Sequence, residues 1–269
     1  MTLPLAGSNY GFLYDASRAE SLRAIAEAGY ELIELAACPP HLDLSELGPG
    51  ERRAIAAEIE RPDLRAVSVN PVELNPISEN AQLKAATAHQ YRVAIELAGE
   101  LGAASVVMIT GRRSPLIPVA EARARELLRA HLEALLPIAG PLGVTIALEP
   151  VPYGFLQTAS DVAGFIDESG LQGVGIAADC ANLLVVGADP AQEVRANGER
   201  VAIAHVSDSW RARWAHTQIG RGEIDFEAFA RALSDISYSG PTIYELVDGE
   251  DPGPRLRGDR DALRERGWT

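Results

Sequence analysis

Four apolar runs, far apart in the chain, each break off at an acid or an imidazole. VTIALEP reaches Glu149, VGIAADC reaches Asp179, VAIAHVS reaches His205 and PTIYELV reaches Glu245. Near-continuous hydrophobic runs of this length read as strands covered on both faces. The four polar residues are separated by 30, 26 and 40 residues. Each interval has room for one helix-containing crossover. In a closed parallel barrel the carboxyl ends of such strands converge on one face.

The same alternation runs through the rest of the chain. Strands are expected at residues 6–13, 30–36, 64–70, 104–111, 144–150, 174–180, 201–207 and 241–247. Ser17 and Glu20 form a capping box for a helix reaching Ala28, and Gly29 stops it. ERRAIAAEIE fits a second helix. Residues 78–101 carry the longest helical pattern, with Val93, Leu97 and Leu101 in register and Gly102 at its end. A helix is expected from about residue 120 to Gly140. AGFIDESG follows a cap at Thr158 or Ser160, and Asp189-Pro190 opens another helix. Further helical patterns cover residues 227–233 and 259–266. Eight strands and their intervening helices in 269 residues predict an α/β fold, a single (β/α)8 TIM barrel spanning 1–269. A doubly wound open sheet would place a glycine-rich phosphate turn after an early strand, and no GxGxxG is present.

The balance of 38 acidic against 24 basic residues gives a formal net charge of −14. Such a surface repels nucleic acid and anionic membranes. No run of 18 apolar residues marks a membrane span, and the amino terminus lacks the pattern of a signal peptide. Two cysteines, Cys38 and Cys180, allow no disulfide framework. The expected location is cytoplasmic.

Three carboxylates held close together repel one another unless protons or a cation intervene. Adding one imidazole makes Glu149, Asp179, His205 and Glu245 a donor set for a divalent ion of intermediate hardness. Mn2+, Zn2+, Co2+ and Fe2+ suit it, whereas Mg2+ prefers oxygen alone. A cation there would polarise a hydroxycarbonyl and stabilise its enediolate. Glu149 and Glu245 are placed to remove and return the α-proton from opposite faces. Each residue also has a structural alternative: Asp179 as a helix N-cap, His205 as a packed histidine.

Around this set, Arg211 is a candidate clamp for an anionic or hydroxylated substrate. Asp208 could orient a ligand or anchor its loop, and His216 could enter the pocket. Asn9, Asn70 and Glu73 sit at expected strand ends and are candidate substrate contacts. Asn182 could hydrogen-bond substrate. Trp210 and Trp214 could wall a pocket or fill an interface between subunits, which makes a homo-oligomer plausible. His89 and His131 read as helix packing, and Cys180 as a small buried filler rather than a nucleophile.

At these residues the chain resembles the xylose isomerase-like TIM barrel superfamily, which includes sugar-phosphate isomerases and epimerases. ALEP, AADCAN, AHVSDSWR, GRGEIDF and YELV carry the resemblance. It implies metal ligation by Glu149, Asp179, His205 and Glu245, acid/base roles for the two glutamates, and a substrate contact from Arg211. Two positions depart from the ketose 3-epimerase pattern: Asn182 stands where histidine is usual, and Phe155 where a second glutamate is usual. The expected function is a metal-dependent isomerase or epimerase of a sugar, sugar acid or cyclitol, with Mn2+ the leading ion. A lyase in the same barrel and a non-catalytic sugar-binding barrel are the alternatives.

Overall fold

The first strand is half the length that its apolar run suggests. It covers Leu5–Ser8, and the chain then tightens into a 3-10 turn at Tyr10–Phe12. In this computed structural model residues 3–72, 74–247 and 252–269 are described. The strands of the barrel are β1 (Leu5–Ser8), β2 (Leu32–Ala36), β3 (Arg65–Asn70), β4 (Ser105–Ile109), β5 (Thr145–Glu149), β6 (Val174–Asp179), β7 (Val201–Val206) and, after a hairpin, β10 (Thr242–Tyr244). They pair in parallel and close in the order β1-β10-β7-β6-β5-β4-β3-β2. The hairpin is β8 (Asp208–Trp210) and β9 (Arg213–Thr217), paired antiparallel. It holds Asp208, Trp210, Trp214 and His216, and Arg211 lies at its turn.

The crossovers are α1 (Arg18–Glu27), α2 (Pro49–Glu60), α3 (Ala81–Leu101), α4 (Glu121–Ala139) and α5 (Ala159–Ser169). They continue with α6 (Cys180–Val185), α7 (Pro190–Ala196), α8 (Phe226–Asp235) and the terminal α9 (Gly253–Arg264). Local chemistry sets their ends. Ser17 and Glu20 cap α1 reciprocally, as do Thr158 and Asp161 for α5. Gly102 closes α3 in the left-handed conformation, at φ 69°. Asp189 caps α7 with Pro190 in its first turn. Helix α6 is absent from the sequence expectation, because it starts directly after the last residue of its strand, Asp179, with no intervening loop. Helix α9 begins six residues before the expected 259. Glu73, an expected substrate contact, lies outside the described residues.

Alternation along the strands builds the barrel interior in two layers. Ala6, Val107, Ala147, Ala177, Ile203 and Ile243 form one fully buried apolar cluster, with Leu32 packed against it. Two residues further along the same strands stand Ser8, Ile109, Glu149, Asp179, His205 and Glu245, and Glu34 follows Leu32. Glu245 lies just past β10, where its amide still bonds Val206 O at 3.1 Å. The outward residues, such as Ile33, Leu35, Val106 and Leu148, pack into the larger core beneath the helices.

Candidate metal centre

Glu149, Asp179, His205 and Glu245 are buried at the carboxyl ends of β5, β6, β7 and β10. One donor atom from each lies within 4.8 Å of every other. Strand register accounts for the meeting: Asp179 pairs with His205, and Ile243 with His205 on the other side. With Glu149 on the neighbouring β5, the four share one arc of the barrel mouth.

Asp179 serves both structural and site chemistry. Its carboxylate accepts from Asn182 N at 2.7 Å through Oδ1, capping α6. Its Oδ2 is buried and makes no hydrogen bond. That oxygen faces His205 Nδ1 at 3.9 Å and His216 Nδ1 at 3.8 Å. His205 is likewise divided. Its Nε2 meets Glu34 Oε2 at 3.2 Å, while Nδ1 is buried without a hydrogen bond and faces Glu149 Oε1 at 3.5 Å. Two orphaned polar atoms on paired residues of adjacent strands, set among carboxylates, fit the donor set of a divalent cation. Buried polar atoms otherwise find partners.

Glu34 is the residue that the sequence reading missed. It lies at zero exposure on β2, inside YELIELA. It accepts from Ser68 Oγ, from Asn70 Nδ2 at 3.1 Å and from the His205 ring. Donation of the Nε2 proton to Glu34 fixes the tautomer and leaves the Nδ1 lone pair for the centre. The available signal was weaker than for the four ligand candidates: Glu34 is an acid inside the apolar run of β2, which goes on to Leu35 and Ala36.

Burial pushes the Glu245 carboxyl well above the usual range; His205 opposes the shift, while Glu149, Asp179 and Glu34 add to it. Burial also raises Glu149, against the pull of His205. Burial alone would lower the His205 imidazole, but Glu34 and Glu149 hold it well above its ordinary value. Glu34 moves down in spite of burial, because it pairs with His205. Protons thus gather where negative charge is crowded, and a divalent ion would displace them.

The β8–β9 hairpin closes one side of the mouth. Asp208 gathers the amides of Gly220 at 2.8 Å, Ser209 at 3.0 Å and Ile224 at 3.2 Å. It is a buried loop anchor. Gly222 is required beside it, since a Cβ there would stand 2.2 Å from Ser209 O. His216 on β9 comes into the centre itself, with Nδ1 3.3 Å from Glu245 Oε2 and 3.0 Å from Ser207 Oγ. Trp214 donates from Nε1 to Asn182 Oδ1 at 2.8 Å, and Asn182 donates to Glu149 Oε1 at 3.1 Å. The Trp214 ring meets Tyr153 edge-on at 5.3 Å between centroids.

A cavity of about 300 Å3 lies over the carboxylates, with Asn70, Asn182, His216, Tyr10, Tyr153 and Arg112 in its walls. Arg211 is not among its lining residues: it sits exposed at the tip of the hairpin, its amide directed at Glu223. Arg112 and Arg213 line the cavity instead. Arg112 follows β4 and lies 5.3 Å over the Tyr153 ring. Asn9 is buried and committed elsewhere, accepting from Ala36 N at 2.8 Å and donating to His41. Cys180 starts α6 and is buried, so it does not continue the strand. A larger cavity, about 500 Å3, opens at the other end of the barrel beside the strand starts Arg65, Ser105 and Thr145, far from this chemistry.

A model of a family described as xylose isomerase-like TIM barrel matches residues 22–266. The L-ribulose 3-epimerase of Methylomonas sp. strain DH-1 is 28% identical over 130 residues, 47% of this chain and 44% of that one. The match therefore spans less than half of that relative's length. The L-ribulose 3-epimerase of Mesorhizobium japonicum is 26% identical over 254 residues, 90% of this chain and 81% of that one. Among solved structures, a D-tagatose 3-epimerase-like protein superposes with a TM-score of 0.85 at 22% identity, covering 98% of this chain and 97% of that chain.

Proposed function

The chain belongs to the xylose isomerase-like TIM barrel family, and on that premise we propose that it is a divalent-metal-dependent sugar epimerase or isomerase. The carrying observation is the quartet Glu149, Asp179, His205 and Glu245, buried with donor atoms within 4.8 Å and two of those atoms orphaned. The identity of two curated relatives as sugar epimerases supports the substrate class. Three oxygen donors and one nitrogen favour Mn2+. When bound, the ion would supply the positive charge that polarises a ketone and neutralises the developing oxyanion.

The chain's own residues supply the proton traffic. Glu149 or Glu245, ionised, removes the proton α to the ketone, and the other returns one to the opposite face. Burial raises the proton affinity of both carboxyls, which suits them to accept a proton from carbon. Asn182 holds Glu149, and His216, itself hydrogen-bonded to Ser207, braces Glu245 from the hairpin side. Glu34 keeps the His205 ring in its tautomer. Trp214, Tyr153 and Val151 give the chamber its apolar walls. Among the described residues no helix is long and apolar enough to cross a membrane.

The test is turnover of ketopentoses and ketohexoses in D2O, with metal content measured on the purified protein. The expected result is a stoichiometric divalent ion and one solvent deuterium fixed at the α-carbon of the epimerised product. Absence of wash-in with every ketose, on metal-loaded protein, would overturn the reading. A product lighter by one water would identify a dehydratase.

A further inference from the structure

Asn182 is buried in the first turn of α6 and is committed at both ends of its amide. Its Nδ2 donates to Glu149 Oε1 at 3.1 Å, and its Oδ1 accepts from Trp214 Nε1 at 2.8 Å. These two neighbours differ in kind. An indole N–H can only donate, and an ionised carboxylate can only accept. The two ends of an asparagine amide are nearly alike in size and opposite in hydrogen bonding, so its neighbours decide which way it faces. Only one orientation satisfies both. The reverse would set the Asn182 NH2 against the indole N–H and its oxygen against the Glu149 carboxylate, and both hydrogen bonds would be lost.

Trp214 is itself held in place on β9. Ser209 on β8 accepts from Ala215 N at 3.1 Å and donates to Arg213 O at 3.2 Å, which fixes the chain on either side of Trp214. The indole ring rests edge-on against Tyr153 and His216, at 5.3 and 6.0 Å between centroids. Asn182 is anchored from α6, where its own amide N–H donates to Asp179 Oδ1 at 2.7 Å. A chain of two hydrogen bonds thus runs from the hairpin through α6 to the end of β5. Each of its three members is fixed by a different element, as a support for a reacting group must be.

We propose that Trp214 is a positioning residue of the centre: its indole N–H fixes the Asn182 amide, and that amide orients the Glu149 carboxylate for ion binding and proton transfer. The inference rests on the metal-dependent epimerase reading for what Glu149 does, and it adds the hairpin as the element that sets how Glu149 is held. Tryptophan at 214 and asparagine at 182 are matched in this respect, since the hairpin supplies the donor that the amide needs.

Two variants separate the N–H from the bulk of the ring. Trp214→Phe keeps an aromatic ring beside Tyr153 and loses the donor, and Asn182→Ala removes the link. Chelator competition is expected to show Mn2+ bound about 10-fold more weakly by each. The double variant should bind it no more weakly than Asn182→Ala alone, because both changes cut the same chain. A general loosening of the mouth would instead make the two losses multiply. In protein carrying 15N-labelled tryptophan, the Trp214 indole signal is identified by its loss in Trp214→Phe. Its N–H should exchange with D2O about 10-fold faster in Asn182→Ala, the effect of one hydrogen bond. Unchanged Mn2+ affinity in Trp214→Phe would overturn the proposal. So would losses that multiply in the double variant, or an indole exchange rate indifferent to Asn182→Ala. If all three behave as expected while the unaltered, Mn2+-loaded protein fixes no deuterium in any ketose, the positioning of Glu149 stands and the epimerase reading falls.

Discussion

The barrel interior holds two layers, one above the other on the same strands, and they obey opposite rules. In the lower, Ala147, Ala177, Ile203 and Ile243 are dry and apolar. In the upper, two residues along, Glu149, Asp179, His205 and Glu245 are as thoroughly buried. Full burial of a Val or Ile side chain contributes about 1.5–3 kcal/mol. An ion taken from water costs several kcal/mol, which attraction between partners offsets only with good geometry. Equal burial therefore stabilises one layer and charges the other with potential for chemistry. A barrel can carry the second because the first, with the surrounding helical core, supplies the stability.

The sharpest way to break this contrast is to neutralise the upper layer. Glu149→Gln and Glu245→Gln are each expected to reduce the rate of α-proton exchange about 100- to 10,000-fold. The metal-free Glu245→Gln protein should meanwhile be more stable by about 1 kcal/mol, since its amide takes the place of an acid already driven to hold its proton. Deuterium wash-in and urea titration read the two effects. The converse change moves a charge one layer down. Ala177→Asp has no imidazole or amide waiting for it and should cost about 3–5 kcal/mol, seen as a fall in the urea midpoint.

Glu34→Gln tests whether the upper layer depends on its outer support. Loss of the carboxylate behind His205 should weaken divalent-ion affinity about 10- to 100-fold, measured by chelator competition. Acidity should act in the same direction on the unaltered protein. Glu149, Glu245 and His205 all bind protons more tightly than when free, and the ion must displace them. Affinity is therefore expected to rise with pH through their range and to fall as they fill, as read by titrations at several pH values. The smallest effect lies outside the barrel. Burial lowers the His131 imidazole below its ordinary value of 6.5. The folded protein thus prefers it neutral, so this contribution is complete above that value and declines as pH falls through it. His131→Leu should flatten the loss of stability between pH 7 and pH 5.

How far the sequence could be read follows from the same layers. A near-continuous apolar run that stops at a polar residue is a strong signal, so β5, β6, β7 and β10 and their four terminal groups were legible. Their arrangement as a closed barrel followed from the number of runs. Glu34 was not singled out, because its run continues with Leu35 and Ala36 and does not break off at the acid. Arg211 looked suitable by spacing, yet a hairpin turn carries it outward and brings Arg213 to the cavity. The two-residue difference has no counterpart in composition. The residues between strands that form the cavity walls, Tyr10, Arg112 and Tyr153, come from loops. Loop conformation depends on tertiary contacts, such as Asn75 accepting from Arg112 N, that no local pattern announces.

The double duty of Asp179 bears on how such a barrel could change its trade. One oxygen holds the first turn of a helix, a task that asparagine performs equally well. The other oxygen carries the negative charge that asparagine lacks. On the proposed reading, a single substitution would strip the centre of a ligand while sparing the scaffold, so a descendant that keeps the barrel without its turnover stands one mutational step away.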